Sequence, residues 1–180
     1  MNFIGIFIGL TLSLAHSQSL SQEEIRFSEL INQFRQSLGL QKLIIHPALQ
    51  NASLKHSEWM AKNEFLTHYG PMKNESPFQR MIEEGYLNYS MLGENVACGN
   101  SEAKETFLQW VNSPEHLKNM ITPAFEHMGI ARAGDGNEDC PFYWTNDFGS
   151  KSFEKMKDPL PDAARIKLVI DQIIGPSVSD

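Results

Sequence analysis

Phe125-Glu126-His127-Met128-Gly129-Ile130-Ala131-Arg132-Ala133, then Gly134-Asp135-Gly136-Asn137, then Pro141-Phe142-Tyr143-Trp144-Thr145-Asn146-Asp147-Phe148 read as strand, turn and strand. The turn residues between two runs rich in β-branched and aromatic side chains make a hairpin-type connection. The regular elements before this stretch read as helices, apart from a short strand over Met91 to Ala97. Helices first and hairpin-linked strands after them give an α+β fold rather than a doubly wound sheet.

Working toward the amino terminus, Ser113-Pro114-Glu115 starts a turn of helix with an acid on its dipole. Before it lies a helix capped by Ser101, with Ala103, Phe107, Leu108, Trp110 and Val111 facing inward. Ser76-Pro77 caps a shorter helix through Glu84, stopped by Gly85, and the stretch from Phe65 to Lys73 is loop. His46-Pro47 opens a helix that runs to about Asn63 with Pro at its first position. Ser21-Gln22-Glu23-Glu24 is a capping box, and Ile25, Phe27, Leu30, Ile31, Phe34 and Leu38 recur at helical spacing until Gly39 ends the helix. Beyond Gly149 an amphipathic helix carrying Ile166, Val169, Ile170, Ile173 and Ile174 ends at Gly175-Pro176. That helix either packs on its own domain or presents its apolar face to a partner.

The chain has 180 residues, with 15 Lys plus Arg against 22 Asp plus Glu and a formal net charge of −7. Phosphate-backbone affinity needs clustered cations, so the balance argues against a nucleic-acid binder. A chain of this length buries about 70% of its unfolded surface as a single domain. The apolar run from Asn2 to Leu14 is too short to span a bilayer, which takes about 20 residues. It reads as a secretory signal peptide over residues 1–17, cleaved after Ser17 or next after Ser19; the absence of Lys and Arg ahead of it leaves an uncleaved anchor as the alternative. Export would expose Cys98 and Cys140 to oxidation, so a disulfide is expected, two buried free thiols being the alternative.

Six histidines raise the question of a site. His46 and His56 sit where a helix start and a helix face give them structural work. His68 lies in a loop, where contacts rather than periodicity must place its ring. His116 follows a helix start, and Glu94 stands between Gly93 and Asn95. Two imidazoles and a carboxylate meeting in a cleft would suit Zn²⁺ or another divalent cation with an open position for water. Glu115 and His116 are adjacent and point about 100° apart on a helix, which makes Glu115 a first-turn charge rather than a shared ligand. There is no His-Glu-x-x-His, Cys-x-x-Cys, Gly-x-Ser-x-Gly or phosphate-binding glycine loop.

The ordered elements Leu30-Ile31-Asn32-x-x-Arg35-x-x-x-Gly39, His46-Pro47, His56-Ser57-x-x-Met60-Ala61, Phe65-x-x-His68, Gly85-Tyr86, Gly93-Glu94-Asn95-Val96-Ala97, Trp110-x-x-Ser113-Pro114-x-His116-x-x-Asn119-Met120, Gly129-Ile130-Ala131 and Tyr143-Trp144-x-x-x-Phe148-Gly149 resemble a CAP domain in its bacterial form. That superfamily comprises cysteine-rich secretory, antigen 5 and pathogenesis-related 1 proteins. The resemblance implies a domain over residues 22–150, an α-β-α sandwich with a small antiparallel sheet between helices, and a 151–180 extension outside it. It places His68, Glu94 and His116, with Asn95 and Glu115 beside them, in a cleft that binds a divalent metal in some members. Two departures stand out: Ser113 occupies a position that holds a second acid in many eukaryotic members, and Glu115 one that is often Gly. The implied function is a secreted binding module for a small apolar ligand, a peptide or a partner protein. The alternative is a metal-dependent hydrolase or peptidase in which Glu94 completes the metal shell or acts as general base.

Overall fold

A computed structural model describes residues 19–70, 75–136, 139–154 and 157–174; the leader, part of the 65–73 loop, Asn137 and the Gly175-Pro176 stop lie outside them. The elements in chain order are α1 (Gln22–Ser37), β1 (Ile44–Ile45), α2 (Pro47–Asn63), α3 (Pro77–Glu83), β2 (Met91–Cys98), α4 (Ala103–Val111), α5 (Pro114–Ile121), β3 (His127–Ala133), β4 (Tyr143–Ser150) and α6 (Ala163–Ile174). The fold is α+β, as the hairpin-linked strands imply.

Helix starts follow their local chemistry. Ser21 and Glu24 form the reciprocal capping box at α1, and the His46 side chain accepts from the Ala48 N–H at α2 ahead of Pro47. At α4 the expectation is corrected. Ser101 does not cap; Glu102 holds the cap position without a side-chain bond, and the Ala103 N–H donates instead to Glu23 Oε2 of α1 at 2.7 Å. A carboxylate borrowed from a neighbouring helix satisfies the same orphan donor that a local Ser would have served.

The four strands lie in the order β1-β3-β4-β2. β4 runs antiparallel to both neighbours, with Glu94 opposite Asp147 and Met128 opposite Phe148, while the two residues of β1 pair parallel to β3. The β4 strand starts at Tyr143 rather than Pro141, consistent with the missing N–H of proline. Cys98 at the end of β2 is disulfide-bonded to Cys140 in the β3–β4 connection.

Alternation along the strands sends side chains into two helical layers. Met128, Ile130, Trp144 and Phe148 join Phe27, Phe34, Phe107 and Trp110 of α1 and α4 in the main core. On the opposite face Ser53 and Ser57 of α2 bond Asp147 and Thr145, and a Cβ at Gly129 would lie 2.2 Å from the Leu49 carbonyl. Glycine is required there because the α2 backbone lies directly on β3. The helix α6 packs on the domain: Val169 is buried in the main core, Ile166, Ile170 and Ile173 lie against it, and Arg165 Nη2 donates to the Ser37 carbonyl. Buried Arg35 ties α1 to the α5–β3 connection by donating to the carbonyls of Gln41, Met120, Thr122 and Phe125. No helix among the described residues is long and apolar enough to cross a membrane.

Candidate functional site: a cleft along the edge strand

β2 is an edge strand, and an edge strand leaves outward carbonyls in need of donors. Two are supplied by side chains. Asn119 Nδ2 of α5 donates to the Glu94 carbonyl at 3.1 Å, and Trp110 Nε1 of α4 donates to the Val96 carbonyl at 3.2 Å. The fit of α5 is completed by Asn95, which donates to the His116 carbonyl at 3.0 Å and accepts from Asn119 at 2.9 Å. The Gly-Glu-Asn segment thus fixes the helix turn that carries His116.

Glu94 points to the other layer. Its side chain is 1% exposed, and both oxygens are engaged: His68 Nδ1–H donates to Oε1 at 2.8 Å and Arg80 Nη2 to Oε2 at 2.5 Å. Arg80 also donates from Nη1 to the His68 carbonyl at 3.0 Å, so one guanidinium from α3 holds both the loop that carries His68 and the carboxylate that orients its ring. The His68 side chain is 46% exposed. His56 steadies the preceding residue, donating from Nε2 to the Thr67 carbonyl at 2.7 Å.

Across the sheet from Glu94 sits Asp147, 1% exposed, whose Oδ2 accepts from Ser53 Oγ at 2.9 Å. Burial first, and then the Glu94 charge, push the Asp147 carboxyl well above its ordinary value, against smaller opposing effects of Arg80 and Ser53. Oδ1 has no hydrogen-bond partner, and a hydrogen bond between the two carboxyls, which needs a proton, raises the Asp147 value further. The His116 ring lies 6.2 Å from Trp110, with a buried Nδ1 that has no partner. Burial lowers its pKa first and the nearby His68 lowers it further, against a smaller opposite effect of Glu115. Glu115 itself faces solvent.

His68 and Glu94 are therefore in direct contact, His116 is near enough to His68 to be coupled to it by charge, Asn95 braces the His116 turn, and Glu115 stands outside as a solvated charge. Each Glu94 oxygen already accepts a bond from a buried position, its counter-charge is Arg80, and among the described residues no group of three or more His, Cys, Asp or Glu is placed to hold a metal ion. What is left for a cation is the pair of imidazoles. Arg80, Asp147, His56 and Asn119 are site residues that sequence reasoning missed; an acid at the inward-facing position 147 of a strand was the readable signal, since a buried carboxyl needs partners.

Comparison with known proteins bears on the family and the fold. The chain is 33% identical over 133 residues to YkwD of Bacillus subtilis, covering 74% of this chain and 49% of that one. It is 28% identical over 117 residues to the membrane protein YlbC of the same organism, covering 63% and 32%. The chain thus spans half or less of the length of these curated relatives. Among solved structures, an outer surface protein of Borrelia burgdorferi superposes with a TM-score of 0.63 at 23% identity, covering 76% of this chain and 99% of that one. An extracellular protein of Bacillus anthracis containing an SCP domain superposes with a TM-score of 0.61 at 22% identity, covering 75% and 45%. At these identities the likeness is one of fold. The family model of the cysteine-rich secretory protein family matches residues 28–148, from α1 to the end of the sheet, and the chain belongs to that family, the CAP family.

Proposed function

We propose that this chain is an exported binding module whose cleft, between His68 and His116 along β2, takes a ligand rather than turning one over. The observation that carries the reading is the engagement of Glu94. A general base must offer a free lone pair to a substrate proton, and this carboxylate is buried with both oxygens held by His68 and Arg80. Its work is to orient His68. With Nδ1–H donated to Glu94, a neutral His68 keeps its lone pair on Nε2, the arrangement that a carboxylate imposes on metal-binding histidines. His116, kept neutral by burial, is the natural second contact.

A divalent cation such as Zn²⁺ is one ligand class that two neutral imidazoles suit, and when bound it would supply a positive charge able to polarise a further ligand. An apolar small molecule, a peptide or a partner surface is the other. Export is supported by the apolar run ahead of Ser17, by the disulfide, and by structural neighbours described as outer surface and extracellular proteins.

Zinc titration calorimetry of metal-stripped protein at pH 7 tests the cleft. One site per chain is expected, lost in both His68→Ala and His116→Ala and weakened about tenfold or more in Glu94→Gln. Zinc-independent behaviour of all three variants would remove the cation from the reading. Hydrolysis of a peptide library that is chelator-sensitive and abolished by Glu94→Gln would overturn the binding module itself.

A further inference from the structure

The end of the sheet away from the disulfide gathers ionisable side chains that the cleft does not use. His46 precedes α2, Tyr86 follows α3, Glu126 and His127 stand at the start of β3, and Lys151 follows β4. The His46 ring makes T-shaped contacts with Tyr86 at 4.8 Å and with His127 at 5.2 Å between centres. The buried Tyr86 phenol is bonded to His127 Nδ1 at 2.9 Å, and Lys151 Nζ lies 5.2 Å from the centre of the Tyr86 ring. Glu126 accepts from the Lys151 and Ser152 N–H groups and from the Ser150 hydroxyl.

His46 does two structural jobs here. Its N–H donates to the Met128 carbonyl at 2.9 Å and ties the chain to β3, and its Nδ1 accepts from the Ala48 N–H at 3.2 Å and caps α2. The cap needs a lone pair on Nδ1, which only the neutral imidazole has. A proton there removes the acceptor, adds a positive charge to the positive end of the helix dipole, and sets that charge beside His127 and Lys151. Burial first, then His127 and Lys151, hold the His46 pKa below its ordinary 6.5. Burial holds His127 below it too, with Glu126 opposing and Lys151 adding.

The segment that His46 anchors is short and bracketed. On one side Asn32 bonds both the N–H and the carbonyl of Leu43, at 2.7 and 3.0 Å. On the other the Gln50 side chain bonds both the N–H and the carbonyl of Ile130, at 3.0 and 2.8 Å. Between these clamps the Ile44 N–H donates to the Glu126 carbonyl, yet Ile44 is 65% exposed, and Pro47 faces solvent with no N–H to give. We propose that residues 44–48 form an acid-released latch: protonation of His46 lets β1 and the start of α2 leave the β3 edge while the rest of the domain stays folded. Opening bares the Glu126 and Met128 carbonyls. Because the freed imidazole regains its ordinary pKa, the latch is firm above about 6.5 and weakens as pH falls below that value.

The test is amide hydrogen exchange followed by NMR on the whole chain between about pH 7.5 and pH 5, corrected for the intrinsic pH dependence of exchange. Protection of the Ile44, His46 and Ala48 amides should fall about tenfold or more beyond any fall at Thr145, Asn146 and Phe148 of β4, which report on the domain as a whole. His46→Asn supplies a cap acceptor that does not titrate, and should hold protection at Ile44 and Ala48 nearly constant relative to β4. Equal changes at the latch and in β4 would overturn the proposal, as would a selective loss that His46→Asn leaves intact. The comparison between latch and β4 uses the unaltered protein, so it decides the matter even if His46→Asn does not fold.

Discussion

Glu94 and Asp147 face each other across the β2–β4 pair with a single guanidinium, that of Arg80, to balance them. Two carboxyls in so buried a setting do not both ionise readily, and the proton belongs on Asp147, the more deeply enclosed of the two. A carboxyl whose folded pKa is raised contributes stability that is fully present below its ordinary value and lost as pH rises through the folded value. Asp147→Asn keeps the bond from Ser53 and carries no titrating proton, so its urea midpoint should decline less than that of the unaltered protein as pH rises from acid to neutral. Parallel profiles for the two would place the proton elsewhere.

The histidines act in the opposite sense. Burial first, and then the Arg80 and His68 charges, lower the pKa of His56 below its ordinary 6.5, against the raising effects of Glu94 and the Thr67 carbonyl. The unfolded chain therefore takes up that proton first, and stability falls as pH drops below about 6.5. His56→Gln should flatten this acid limb in urea melts between neutral pH and the lower pKa of the folded imidazole. It should also loosen the Thr67 turn beside His68.

Asn119→Ala removes the donors to the Glu94 carbonyl and to Asn95 Oδ1 together. A loss of about 1–3 kcal/mol is expected from the unmet acceptors. Because Asn95 holds the His116 carbonyl, the variant should also bind zinc more weakly while remaining folded, a combination that circular dichroism and calorimetry can establish on one sample. Unchanged melting and unchanged zinc affinity would show that α5 does not depend on this bracket.

Truncation after Ser150 removes α6 and with it buried Val169 and the Arg165 bond to Ser37. Exposing the surface that Ile166, Val169, Ile170 and Ile173 cover should cost about 2–4 kcal/mol and lower the melting temperature by several degrees or more. A truncated chain that melts like the intact one would mean that α6 contributes no stability where it sits.

Most of the fold is legible because local chemistry and tertiary need coincide. The Ser21–Glu24 box, Pro47 behind His46 and Ser76-Pro77 start helices where they are read. β1 is invisible for a simple reason: two residues, one of them the exposed Ile44, have no periodicity, and only the β3 edge makes them a strand. Ser101 misleads because a carboxylate distant in sequence, Glu23, serves the helix start instead. At the site, His68, Glu94 and His116 were legible through the ordered family motifs. Arg80 was not, since on a seven-residue helix among Gln79, Glu83 and Glu84 it looks like one more solvated charge, and only the fold turns it inward.

The bonds from Asn119 and Trp110 to β2 have a meaning for recognition as well as for stability. A partner that adds a strand to a sheet does so through unpaired backbone groups, and the Glu94 and Val96 carbonyls on this edge are already spoken for. Donor-strand exchange and edge-to-edge polymerisation are closed to the module at the border of its cleft. A peptide that binds here has to be read by its side chains or by its end, never as a fifth strand.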